Sequence, residues 1–285
     1  MRYCRTCRRH LAVDRRVCPS DGSPLQRLPD EPPRPGDWID NRYALDAHVA
    51  SGGTSNVYLA YDLERDETCA IKVLRPDLAS LSSMVRHFFD EATISRSVRH
   101  PGVIPSREAA LSDSGHFYLA MEFHTADRLD AILDKRQRLT YDEGIVLARD
   151  LLGILRAVHA EGVVHLDLKP ENLFVSPSRI MLFDFGSAVR AGLQEDGSVP
   201  LYGTPEYMAP EWILHREATP AADLYALGIV LFEALTGTLP FQAADPVDVL
   251  HQHVHTPFPI ERLRGVLPAS FQGRFLWFLA SLVEK

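Results

Sequence analysis

The feature that most constrains this 285-residue chain is the run His165-Leu166-Asp167-Leu168-Lys169-Pro170-Glu171-Asn172, set between two apolar pairs. Val163-Val164 leads into it and Leu173-Phe174 leaves it. This pattern predicts a short loop held between two buried strands, at the kind of rigid scaffold edge where chemistry is usually done. Asp167 can accept a proton. Lys169, two residues on, is a cation on the same side of an extended loop. Asn172 offers an oxygen to a metal. A base, a cation and a metal ligand this close together are what phosphoryl transfer needs. Asp184-Phe185-Gly186 follows twelve residues after Asn172, and Ala209-Pro210-Glu211 comes later in the same order. An ordered set of this kind is far more restrictive than any one member.

Composition removes several classes. Hydrophobic residues make up 46% and charged residues 24%, as in ordinary globular chains. The longest apolar stretch, Leu224 to Leu235, is broken by Glu233 and is too short to span a bilayer. The Arg- and Cys-rich N-terminus lacks the apolar segment of a signal peptide. Four cysteines are too few for a disulfide framework at this length, so a reducing cytoplasm is expected. The net charge of −8 is uneven: residues 1–28 hold seven Arg against two Asp, which leaves the rest more acidic than the whole. That balance argues against general nucleic-acid binding.

Residues 1–23 carry Cys4-x-x-Cys7 and then Cys18-Pro19-Ser20-Asp21-Gly22. Two knuckles so spaced point to a small metal-held segment, because so short a stretch cannot bury enough apolar area to fold unaided. The segment resembles, in degenerate form, the zinc ribbons found ahead of some bacterial kinases, with Asp21 where a fourth Cys would stand. Cys4, Cys7 and Cys18 are the expected Zn²⁺ ligands, with Asp21 or His10 as the fourth. The alternative is a flexible basic tail with three ordinary cysteines. Five prolines between Pro24 and Pro35 make residues 24–37 a semi-rigid linker, and the main domain is expected over 38–285.

The octet itself resembles the catalytic loop of protein kinases, H-R-D-x-x-x-x-N, with Leu166 in place of the usual Arg. Other segments match that family in order. Val49-Ala50-Ser51-Gly52-Gly53-Thr54-Ser55-Asn56-Val57 is similar to the Gly-rich loop, with Ala50 and Ser55 replacing its first and third Gly. Cys69-Ala70-Ile71-Lys72-Val73 matches V-A-I-K. A Lys in a buried strand needs a partner, and Glu91, on the helix expected over 83–98, is the candidate. Thr140-x-x-Glu143 is a capping box opening a helix to about Ala160. Thr219-Pro220 starts an apolar helix over 221–236 that stops at Gly237, and further helices are expected over 245–254 and 268–283. Residues 187–203, polar and without periodicity, occupy the place of the activation loop, and Gly203 to Glu211 resembles the substrate platform of Ser/Thr kinases.

The resemblance implies an α+β, two-lobed protein-kinase fold. A small β-rich lobe over about 38–122 and a larger helical lobe over about 125–285 would hold ATP in their cleft. It implies a Ser/Thr kinase in which Asp167 orients the acceptor hydroxyl, Lys169 steadies the γ-phosphate, and Asn172 and Asp184 hold Mg²⁺ or Mn²⁺. Lys72 and Glu91 would position the phosphates. Met121, Glu122 and His124 would border the adenine, with Val57, Ala70 and Leu173 as apolar walls. Asp223 would accept backbone N–H groups of the catalytic loop. Protein Ser/Thr side chains, the chain's own among them, are the implied partners. Without an Arg at position 166, activity independent of loop phosphorylation is expected, although Arg190 could instead receive a phosphate on Ser187, Ser198, Tyr202 or Thr204. Kinase domains usually continue with an Arg that pairs with the Glu of A-P-E. None follows for Glu211, so the domain is expected to be cut before its last helix. The rival reading is a pseudokinase, a nucleotide-binding adaptor, supported by Ala50, Ser55 and Leu166.

Overall fold

The computed structural model describes residues 1–12, 14–191, 201, 203–268 and 272–284. They form two compact units, one of Met1–Arg96 with Ile104–His124 and one of Ser97–Val103 with Thr125–Lys285.

The first unit begins with three two-residue strands, β1 (Arg2–Tyr3), β2 (His10–Leu11) and β3 (Gln26–Arg27), paired antiparallel in the order β2-β1-β3. Its main sheet contains β4 (Trp38–Ile39), β5 (Tyr43–Ser51), β6 (Ser55–Asp62), β7 (Glu67–Leu74), β8 (Ser106–Leu111) and β9 (Phe117–Glu122), in the order β4-β5-β6-β7-β9-β8. Helix α1 (Ser82–Ser97) lies between β7 and β8 in the chain. The two-residue period of β7 explains its apolar run. Cys69, Ile71 and Val73 pack with Tyr43, Tyr58 and Tyr118 on one face. Leu74, on the other face, packs with Val85, Phe88 and Ala92 of α1. Lys72 shares the parity of Leu74, so it points to the helix.

Residues 24–37, expected as a linker, are packed along this unit instead. β3 lies within them, Leu28 is buried in the α1 cluster, and the Tyr58 hydroxyl donates to Pro33 O at 2.7 Å. The proline count carried no sign of the apolar contacts made by Leu25 and Leu28.

The second unit contains β10 (Asp127–Arg128), α2 (Leu129–Arg136), α3 (Tyr141–Ala160), β11 (Val163–Val164), β12 (Leu173–Val175), β13 (Ile180–Leu182) and β14 (Val189–Arg190). Then come α4 (Pro210–His215), α5 (Pro220–Thr236), α6 (Pro246–His255) and α7 (Gln272–Leu282). The capping box is present at the start of α3, with Thr140 and Glu143 bonded reciprocally. Helix α5 is buried on nearly every side and ends at Gly237 in the left-handed region. Thr219 stands at its N-cap position without a side-chain cap bond, Pro220 alone supplying the start signal. Among the described residues no helix is long and apolar enough to cross a membrane.

Strand β13, which leads to Asp184, is pinned by a close approach. Leu182 N donates to Gly102 O at 2.8 Å, and Val103 bridges Leu182. A Cβ on Gly102 would stand 2.7 Å from Ile154 Cδ1 on α3 and 3.0 Å from the Ile180 carbonyl oxygen. Because backbone closes one side, the clash cannot be relieved by a rotamer change alone. Gly102→Ala should therefore destabilise the protein by about 1–3 kcal/mol, the usual cost of overpacking. Urea denaturation measures this, and an unchanged midpoint would show that the approach is looser than described.

Candidate functional site

In the second unit the octet is organised by a buried carboxylate. Asp223, in the first turn of α5, has no exposed surface. It accepts from His165 N and Leu166 N, each at 2.9 Å, and lies 2.8 Å from His159 Nε2 on α3. These bonds turn the chain sharply as it leaves β11. Leu166 sits at φ 62°, a left-handed conformation that costs a side-chain-bearing residue about 1–2 kcal/mol and persists only when its surroundings over-determine it. The sequence pointed to Asp223 but not to His159, whose role depends on a contact 64 residues away. His165 is fully buried, and its ring meets Phe185 edge-on at 4.9 Å.

The turn delivers Asp167 into a compact polar group. Thr204 Oγ1 donates to Asp167 Oδ1 at 2.6 Å and accepts from Lys169 Nζ at 2.6 Å. Lys169 also lies 3.0 Å from Asp167 Oδ2. Asn172 Nδ2 donates to the Asp167 carbonyl at 2.8 Å and to Asp167 Oδ2 at 3.1 Å. Those bonds use the donor end of the amide, so its oxygen is the end suited to a cation. Gly203 makes the contact with Thr204 feasible. At φ 107° it passes so close to the octet that a Cβ would stand 2.6 Å from Leu166 O. Asp184 follows β13 at φ 62°, and its Oδ1 accepts from Gly186 N at 3.2 Å. Nearby in sequence, Tyr207 donates to Glu233 at 2.6 Å, and burial pushes the Glu233 carboxyl up. No local sequence pattern marks this second pair.

In the first unit, Lys72 Nζ donates to both oxygens of Glu91, at 2.7 and 2.9 Å, with both side chains buried. β5 and β6 form the hairpin whose tip is Gly52-Gly53-Thr54, and Gly52 N donates to Ser55 O at 2.7 Å. Ser51 donates to Asn56 across the tip at 2.8 Å. Val57 pairs with Ala50 on one side and Lys72 on the other, while Ala70 pairs with Met121. Met121 is partly buried, Glu122 is exposed at the end of β9, and His124 lies 3.7 Å from Glu122. In the other unit, Leu173 is buried in β12 opposite Leu182. Ser198 and Tyr202 lie outside the described residues. Arg190 donates to the Glu161 carbonyl at 2.9 Å.

The N-terminal cysteines also converge. One ligand atom each from Cys4, Cys7, Cys18 and Asp21 lies within 4.8 Å of the others. Cys7 Sγ is 3.5 Å from Cys18 Sγ, and Cys4 Sγ is 3.3 Å from Asp21 Oδ2. These two spacings are near the edge length of a tetrahedron with arms of about 2.0–2.3 Å, and three thiols with a carboxylate are donors of the kind Zn²⁺ takes. A bond from Ser23 N holds the Asp21 carboxyl below the usual range, keeping it anionic. Both nitrogens of His10 are engaged outside this cluster, with Ser82 and with Ala79. Cys69 is a buried core residue of β7.

Comparison with known proteins identifies the family. The model of the protein kinase domain family matches residues 43–275. The serine/threonine-protein kinase pkn3 of Myxococcus xanthus is 32% identical over 249 residues, covering 84% of this chain and 46% of the relative. The serine/threonine-protein kinase PknA of Mycobacterium tuberculosis is 32% identical over 235 residues, covering 80% of this chain and 54% of the relative. A third relative, serine/threonine-protein kinase pkn2 of Myxococcus xanthus, is 34% identical over 257 residues, covering 87% of this chain and 30% of the relative. The chain thus spans about half, or less, of the length of the curated relatives it matches. With a family match over most of its length, the chain belongs to the protein kinase domain family.

Proposed function

We propose that the chain is a bacterial serine/threonine protein kinase that transfers the γ-phosphoryl group of ATP to protein hydroxyls. The observation that carries this reading is the Asp167–Lys169–Thr204–Asn172 group, intact and mutually bonded. Asp167 orients the acceptor hydroxyl and takes its proton as transfer completes. Lys169 supplies positive charge to the transferring group. Asn172 and Asp184 are the residues that would hold Mg²⁺ or Mn²⁺, which neutralises charge on the phosphates when bound. Lys72, oriented by Glu91, would serve the α- and β-phosphates, and the backbones of Glu122 and His124 would meet the adenine. Cys4, Cys7, Cys18 and Asp21 would hold one Zn²⁺ in a structural role. An ATP-fed enzyme of this kind works in the cytoplasm.

A nucleotide-binding adaptor is the rival. Its support is confined to Ala50, Ser55 and Leu166, whereas Lys72, Glu91, Asp167, Asn172 and Asp184 are all present. Asp184→Asn is expected to abolish metal-dependent transfer, a loss of 100-fold or more (about 2.7 kcal/mol of barrier), with the unfolding midpoint unchanged. If the wild type binds Mg-ATP yet transfers phosphate to no protein, itself included, the adaptor reading replaces this one.

Activity is further expected without activation-loop phosphorylation. Leu166 offers no donor to a phosphate, and charge pairing is how such phosphates order a loop. The Thr204 hydroxyl is already committed to Asp167 and Lys169, and a phosphate there would set two anions face to face. Phosphatase treatment followed by initial-rate assay should leave the rate within a few-fold. A tenfold fall, about 1.4 kcal/mol in barrier, would show that a loop phosphate is required.

A further inference from the structure

The N-terminal knuckle is built into the first unit at the helix that carries Glu91. Arg5 and Gln26 bond to residues 112–113, and two residues that face each other on β1 and β2, Tyr3 and His10, meet α1 and the segment before it. Tyr3 is buried in the same cluster as Val85, Phe88 and Ala92 of α1, and its ring meets Phe117 edge-on at 5.0 Å. His10 binds the start of the helix. Its Nε2 lies 2.8 Å from Ala79 O and its Nδ1 lies 2.9 Å from Ser82 Oγ. A carbonyl can only accept, so Nε2 carries the proton and donates, and Nδ1 accepts from the Ser82 hydroxyl. One imidazole thus ties the segment before α1 to the first residue of α1.

The link from Tyr3 to His10 runs through the proposed metal loop. The turn between β1 and β2 contains Cys4 and Cys7, with Cys4 N donating to Arg9 O at 3.0 Å and Cys7 N pointing at Cys4 Sγ at 3.4 Å. Polar contacts add to these, Arg5 donating to Ser112 O at 2.7 Å and to Asp113 at 3.3 Å and Thr6 pairing with Ser23 at 2.9 Å, but the knuckle's own buried apolar cluster is only Cys4, Cys18 and Leu25, flanked by Cys7 and Leu11. So small a core cannot repay the ordering of its chain. A metal bound to the four ligands would supply the difference. The same metal would then fix the register that sets Tyr3 against His10, and through them the pose of α1.

We propose that the metal-bound knuckle is a latch for α1, in which Tyr3 and His10 act as positioning residues for Glu91 and couple metal occupancy to the Lys72–Glu91 pair. This rests on the reading of Cys4, Cys7, Cys18 and Asp21 as a metal site, and on the kinase reading only for its effect on turnover. When the metal leaves, the β1–β2 turn loses its register, the His10 bonds to Ala79 and Ser82 open, and α1 is free to draw Glu91 away from Lys72.

The test uses the whole chain purified without chelator. Metal analysis should find one zinc per chain. Removing it with a chelator should raise amide hydrogen exchange over residues 82–92 by about tenfold or more while β5–β7 stay protected, and added Zn²⁺ should reverse the change. Cys7→Ser should lose both the zinc and the protection. Because that variant could fail to fold, His10→Ala is the second arm: it should keep its zinc, lose protection at α1, and raise KM for ATP more than it lowers kcat. Absence of zinc from the purified wild type overturns the proposal. So does zinc removal that leaves α1 protection unchanged, or a His10→Ala variant with wild-type exchange. None of the exchange or metal readouts depends on phosphoryl transfer, so failure of the kinase reading would show separately, as zinc-dependent α1 protection in a chain without turnover.

Discussion

The buried carboxylate of Asp223 is the interaction on which the second unit depends. It joins three elements distant in sequence: α5, which carries it, α3 through His159, and the octet through two backbone N–H groups. Each of those donors would be left unsatisfied in the interior without it, at about 1–3 kcal/mol apiece. The strained φ of Leu166 is maintained by the same bonds. From that turn the rest follows by short range: Asp167 is fixed in direction, Asn172 bonds back to it, and the close pass of Gly203 brings Thr204 between Asp167 and Lys169. A buried anion is a costly way to join helices. Its use here is that a carboxylate can hold two adjacent N–H groups at once and so dictate a backbone turn that apolar packing could not specify.

The first unit is governed by a different buried charge. Lys72 and Glu91 are both withdrawn from water, and a pair so placed gains little or no net stability, since desolvation offsets the attraction. Removing one partner is another matter, costing about 3–5 kcal/mol because an unpaired charge remains. The pair therefore acts as a constraint more than as a support. It ties the register of β7 to the rotation of α1, and any element that moves the helix acts on the lysine. The apolar contacts of Val85, Phe88 and Ala92 with Leu74 and Leu119 set the distance at which this constraint operates.

What the sequence revealed and what it hid divide along contact range. The octet, Lys72, Asp184 and the capping box at Thr140 were legible because each is a local pattern whose chemistry lies in its own residues. Glu91 was found because a lysine in an apolar strand demands an anion. His159 was missed because a histidine near a helix end has many uses, and only the fold brings Asp223 to it. Leu25, Leu28 and Tyr3 were hidden for a similar reason. They are single apolar residues among arginines and prolines, with no periodicity to mark a buried face, yet Leu28 and Tyr3 pack into a core formed by strands and a helix far along the chain, and Leu25 packs with Cys4 and Cys18. From sequence His10 reads as a metal ligand, and its bonds to Ala79 and Ser82 emerge only with the fold.

The departures from the family's usual residues fall where the backbone, not the side chain, sets the geometry. At Leu166 the turn is dictated by the N–H groups bonded to Asp223, and any residue that tolerates the left-handed region meets that demand. At the hairpin, Ser55 stands where a third glycine is usual. It is nonetheless buried in a regular β6 pair with Leu74, and its carbonyl accepts the Gly52 N–H that closes the tip. Ala50 pairs with Val57 just after a register shift in β5, in a conformation that needs no glycine. The retained polar groups are different in kind: on the proposed kinase reading Asp167, Lys169, Asn172, Lys72 and Glu91 would each act through side-chain atoms that no backbone can replace. A chain in which the first class has changed while the second is intact has varied where backbone geometry suffices and kept the side chains that the proposed phosphoryl transfer would require.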